Sequence, residues 1–190
     1  MGPRATRPAR PEEPRVITEL HASSDLSPAD RAATAALGDL AFALPPDDPA
    51  SRMTWSDADE TVIARDPDGG VAAMVVVVHR DGLLDGRPVR LAGIGGVASH
   101  PSVRGLGYGR AALDRAIAAV DAHDPDLTQL ICAPRMDGYY AQVGFRPFAG
   151  TTWMRQDGAR VVLDYQPTRI RPGRLPAPAD GELDLCGPPW

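Results

Sequence analysis

The sequence predicts a mixed α/β fold, with a mainly antiparallel central sheet flanked by helices. Three observations point there. Two long apolar runs, Val71–Leu84 and Arg87–Ser99, are separated only by Asp85 and Gly86, and an Asp-Gly pair between such runs marks a two-residue hairpin. Beyond them Leu113, Ile117 and Val120 recur at helical spacing. Strand-like and helix-like stretches alternate along the chain, the pattern of one sheet with helices packed on it.

The elements follow in order. Residues 1–14 are rich in Pro and Arg with almost no large apolar side chain, and read as a disordered leader ahead of a single domain over 15–190. A first strand is expected over 15–20. A helix follows to Phe42, with Ser27 as N-cap, Pro28 at its first position and Asp30 near the positive end of its dipole. The Pro- and Asp-rich connection over 44–59 is long enough to cover a site. A strand over 60–66 leads through a Pro-Asp-Gly-Gly turn into the long hairpin. Then come a helix from Tyr108 to about Val120, a buried strand over 127–133, a short helix over 135–142, and a strand pair over 145–155 and 159–165. Residues 166–190 form a Pro-rich C-terminal segment whose last ten residues are apolar enough to dock.

Bulk properties narrow the function. The chain has 190 residues, a net charge of −5 and a pI near 5.3, a poor match to nucleic acid. No apolar run reaches the length of a membrane span, so no membrane partner is expected and the reading is cytoplasmic. Cys132 and Cys186 stand far apart without metal-ligand spacing, so no metal is expected.

The stretch after the hairpin carries the chemistry. His100 to Leu113 reads HPSVRGLGYGRAAL, with Gly105, Gly107 and Gly109 between an apolar strand and a helix. A helix N-terminus presents unpaired N–H groups and a positive dipole end, and glycines let backbone wrap closely round an anion. Arg104 and Arg110 add charge. The turn therefore suits a pyrophosphate. It lacks the Gly-Lys-Ser/Thr of a Walker loop, and it follows a hairpin strand rather than the parallel strand of a dinucleotide fold.

These residues resemble the acetyl-CoA-binding segment of the GCN5-related N-acetyltransferases (GNAT). Arg104, Gly107 and Gly109 match that family's Arg/Gln-x-x-Gly-x-Gly/Ala hallmark, and Tyr140 followed by Gly144 and Phe145 resembles its tyrosine helix. The resemblance covers roughly 15–165 and implies a GNAT-like sheet with acetyl-CoA as co-substrate. Val97, Ala98 and Ser99 would bind the pantetheine arm through their backbone. The amides of Arg104, Gly105, Leu106, Gly107, Tyr108, Gly109 and Arg110 would hold the pyrophosphate. A backbone N–H near Val97 would polarise the thioester, and Tyr140 would protonate the departing thiolate. The neighbouring Tyr139 is then a packing residue.

The chain end, GELDLCGPPW, is similar to that of the aminoglycoside 2'-N-acetyltransferases, as are the strands around Gly95. The resemblance implies a small-molecule primary amine as acceptor, with an aminoglycoside 2'-amine, and hence antibiotic resistance, as the finer expectation. Asp57, Asp59, Asp184 and the Trp190 carboxylate become substrate-side candidates. Gly95 departs from that subfamily, which carries an acid there. Asp57, Asp59, Glu60, His79 and the terminal carboxylate all stay open as the general base. The alternative is an acyl-CoA-binding sensor domain with weak or no catalysis. Dimers are common in the family, so a homodimer is compatible with its edge strands.

Overall fold

The computed structural model describes residues 16–190; the proposed leader over 1–14, and Arg15 at the head of the first expected strand, lie outside them. Ten strands and three helices are described. The first half holds β1 (Ile17–Ala22), α1 (Pro28–Phe42), β2 (Glu60–Arg65), β3 (Val71–Leu84), β4 (Arg87–Ser99) and α2 (Tyr108–Ala122). The second holds β5 (Leu127–Ile131), α3 (Asp137–Ala141), β6 (Arg146–Pro147), β7 (Thr151–Gln156), β8 (Ala159–Val162), β9 (Thr168–Pro172) and β10 (Glu182–Asp184).

All ten strands form one sheet, and most pairings are antiparallel. The β3–β4 hairpin turns on Asp85 and Gly86, with φ of 50° and 76°. Both central residues are left-handed, as a type I′ turn requires. On one side of it lie β2 and β1; on the other β4 pairs in parallel with β5, and β9 and β6 follow. A second path leaves the far end of β3, where Leu83 and Leu84 pair with β10, which runs parallel to β7 and carries the β7–β8 hairpin.

Strand alternation sends side chains to two cores. Val62, Val75, Val77 and Ile94 face α2, against Leu113 and Val120. Val78, Val89 and Leu91 face the opposite side, against Leu183, Leu185 and Trp190. Toward the other end of that sheet, Leu37 of α1 packs on Met74 and Ala98. α1 starts as its sequence specifies: the Ser27 hydroxyl accepts from the Asp30 N–H at 3.1 Å.

The structure corrects three boundaries. The first strand lies two residues later than expected, at Ile17–Ala22. The strand expected over 145–155 is interrupted: β6 and β7 are separate, and Gly150 between them packs so closely on the Gly181 backbone that a Cβ would overlap it. The Pro-rich segment over 166–190, where the sequence pattern predicts no strand, forms β9 and β10. Its prolines hid the strands from sequence patterning, but Pro172 closes β9 at its last residue, where a missing N–H is tolerated.

Candidate active site

The site begins where β4 leaves its neighbour. The β4–β5 ladder spans only Leu91–Gly93 against Leu127–Gln129, so beyond Gly93 that edge of β4 has no strand partner among the described residues. On its other edge β4 stays paired with β3, but the register slips: Val75 alone faces Gly96 and Val97, and Gly96 takes φ +55°. Such a bulge bends its strand. Val97, Ala98 and Ser99 therefore line the opening between β4 and β5 with free backbone groups.

His100 closes the strand by donating its N–H to the Ala72 carbonyl at 2.8 Å, and its ring accepts from the Ser102 N–H. That ring shapes the turn. A single 3₁₀ turn over Pro101–Val103 leads into Gly105 and Gly107, at φ +79° and +89°. A Cβ added at either would meet nothing within 4 Å, so backbone conformation demands glycine there, and the space above stays open. Gly109 has a different reason: a Cβ would run into the Ser99 hydroxyl. The first bond of α2 runs from the Ala111 N–H to the Gly107 carbonyl at 2.9 Å. The N–H groups of Tyr108, Gly109 and Arg110 find no acceptor among the described residues and point out of the helix end.

The side chains are less uniform than the backbone. Arg104 is exposed and has no ion pair among the described residues. Arg110 is committed, to Asp114 at 2.8 Å and to the Gln142 amide oxygen at 2.8 Å, which ties α2 to the end of α3. Leu106 is 65% exposed at the tip of the turn.

Tyr140 is buried on α3, in the core beside α2, with Tyr139 and Phe145 edge-on to it at 5.1 and 6.2 Å. Burial, then the neighbouring Cys132 and Tyr139, push its phenol well above the ordinary range. It keeps its proton at neutral pH. Tyr139 is half-buried, and its hydroxyl lies 3.8 Å from where a Gly109 Cβ would stand. Tyr139 therefore borders the turn, while Tyr140 on the same short helix packs in the core beside α2. Sequence register singled out only Tyr140; the nearness of Tyr139 to the turn had no pattern to betray it.

The substrate-side candidates are dispersed. Asp57 is exposed on the connection before β2. Asp59 accepts from the His79 backbone N–H at 2.6 Å, extending the β2–β3 ladder. Asp184 is buried, bonded to Arg160 at 2.7 Å and to the Cys186 N–H at 2.8 Å, with Arg155 at 3.9 Å. Burial alone would raise its pKa, but Arg160 and the Cys186 N–H outweigh that and hold it below the usual carboxylate range. Trp190 is buried too. Its indole donates to the Gln129 carbonyl at 3.1 Å and fills a notch over Gly93, where a Cβ would overlap the ring. Arg80 stacks over the same ring at 5.4 Å and holds the Pro188 carbonyl at 2.7 Å and the Ser56 hydroxyl at 2.6 Å.

Gly95 sits in that same arrangement. A Cβ there would come within 2.7 Å of the Trp190 carbonyl carbon. The position that lacks an acid is thus the position on which the backbone of residue 190 rests.

A splayed strand, a bulge, a glycine turn and a helix N-terminus in this order define an acyl-CoA N-acyltransferase type of fold. Residues 24–148 match the family model described as acetyltransferase (GNAT) domain, and the chain belongs to that family. A search of curated protein sequences finds no match. Among solved structures it is similar to ElaA of Escherichia coli, at 19% identity and a TM-score of 0.59, over 83% of this chain and 99% of that one. It is similar to the GNAT-family YhbS of E. coli in complex with CoA, at 16% identity and a TM-score of 0.58, over 96% and 94%. A GNAT-family acetyltransferase of Brucella melitensis in complex with acetyl-CoA gives 16% and 0.56, over 88% and 94%. No helix among the described residues is long and apolar enough to cross a membrane.

Proposed function

We propose that the protein transfers the acetyl group of acetyl-CoA to a primary amine of a small molecule. The observation that carries this is the turn: two left-handed glycines with open space above them, followed by unpaired N–H groups at the start of α2. In this reading the pyrophosphate rests on the amides from Arg104 to Arg110, with the free Arg104 side chain as counter-charge. The pantetheine arm lies along Val97, Ala98 and Ser99, completing the ladder that β5 leaves unfinished. A β4 N–H near Val97 steadies the oxyanion as the amine attacks the thioester carbonyl. Tyr140 hands its proton to the sulfur as the carbon–sulfur bond breaks. Burial raises its pKa, so the phenol holds its proton before the reaction.

An aminoglycoside is one acceptor within this class. Of the expected acids, Asp184 is already matched by arginines and Asp59 accepts from a backbone N–H, which leaves the exposed Asp57 and the Trp190 carboxylate. This charge balance favours an amine with fewer positive charges than an aminoglycoside carries. The test is release of CoA thiol from acetyl-CoA with a panel of aminoglycosides, other amino sugars, polyamines and amino-acid amines. Release with a member of the panel supports the transferase and identifies the acceptor class. Tight acetyl-CoA binding with no release across the panel supports the sensor reading, which the missing acid at Gly95 favours.

A further inference from the structure

The opposite end of α2 carries a second cluster. Glu60 opens β2 with its side chain on the α2 face, the face of Val62 and Ala64. His79 lies on β3 in the alternation of Val75 and Val77, so it points to the same face. His123 caps the C-terminus of α2, held there by the left-handed turn at Asp124 (φ 50°). Three elements therefore deliver two imidazoles and a carboxylate to one spot. His79 Nε2 is 3.0 Å from one Glu60 oxygen, and His123 Nε2 is 3.7 Å from the other. The two imidazole rings lie 4.1 Å apart, tilted by 35°. One ligating atom from each residue falls within 4.8 Å of both others.

We propose that Glu60, His79 and His123 form a binding site for a divalent transition-metal ion of the zinc type. Tetrahedral ligands at a metal–nitrogen distance of about 2.0 Å stand about 3.3 Å apart, and the two measured separations bracket that spacing. Imidazole and carboxylate together suit zinc and its neighbours rather than calcium or magnesium, which take oxygen alone. Two His and one Glu leave a fourth position, and the half-exposed His123 side chain gives an ion a way in from solvent. The ion takes the place of the hydrogen bond between His79 and Glu60. Bound there, it pins the end of α2 to β2 and β3. That end is a helix length of about 22 Å from the glycine turn, so the ion would sit at the opposite end of α2 from the proposed pyrophosphate position.

The test titrates the full chain with Zn²⁺ by calorimetry and with Co²⁺ by visible absorption. One equivalent of each is expected, with the intense absorption of four-coordinate Co²⁺ and a rise in Tm that grows with Zn²⁺ concentration. His123→Ala should weaken binding at least tenfold, and because this side chain is half-exposed the variant should fold. Glu60→Gln keeps the shape and should weaken binding comparably. The chain has four histidines; His21→Ala and His100→Ala should bind as the parent does. Absence of saturable binding at about 100 μM Zn²⁺ would overturn the proposal. So would unchanged affinity in His123→Ala and Glu60→Gln.

Discussion

At the scale of single residues, the site separates positions fixed by conformation from those fixed by chemistry. Gly107 is of the first kind. Gly107→Asp imposes a side chain on φ +89° and puts a negative charge beside the helix end. Acetyl-CoA binding should be lost in calorimetry while the circular dichroism spectrum is kept; tight binding in this variant would refute the phosphate role of the turn. Tyr140 is of the second kind. Tyr140→Phe should keep acetyl-CoA affinity and lose about 100-fold or more in kcat, measured by thiol release; unchanged turnover would remove Tyr140 as the acid. The glycine turn was legible in the sequence because left-handed backbone selects one residue type. Gly95 was legible only as a missing acid. Its packing against Trp190 links residues far apart in the chain, and no local pattern encodes such a contact.

At the scale of elements, local chemistry was readable and distant pairing was not. The Asp-Gly turn, the Ser27 cap and the period of α2 each depend on residues a few positions apart. Ser27→Ala removes the acceptor of the Asp30 N–H, and should cost about 1 kcal/mol in urea unfolding without altering acetyl-CoA affinity. β10 shows the opposite case. It is three residues long, lies among prolines, and is a strand only because β3 and β7 flank it. Asp184 is buried there because Arg160 reaches it from β8. The resemblance of the chain end offers Asp184 as a substrate contact, and the pairing of Asp184 with Arg160 on a distant strand had no local pattern to show it.

At the scale of the whole molecule, carboxylates with lowered pKa tie separate parts together. Arg65 on β2 hydrogen-bonds Glu19 on β1 and Asp30 on α1, which lowers both. Asp184 is lowered in the C-terminal segment. Groups whose folded pKa lies below the unfolded value stabilise the fold above about pH 4, and that stabilisation is lost as the pH falls through the folded values. Acid should therefore unfold the protein below about pH 4. Asp184→Asn should be less stable than the parent at pH 7, and the difference should shrink toward pH 3. A constant difference across that range in urea titrations would show that the Arg160 pairing does not act through charge.

The position of β10 between β3 and β7 also has a meaning in time. A ribosome makes β3, then β7 and β8, and reaches residues 182–184 on the order of seconds later. Until then the far end of β3 and the inner edge of β7 have nothing to join them, and both are open to pairing with a neighbouring nascent chain. The two edges are therefore joined by a three-residue strand that is made after both of them.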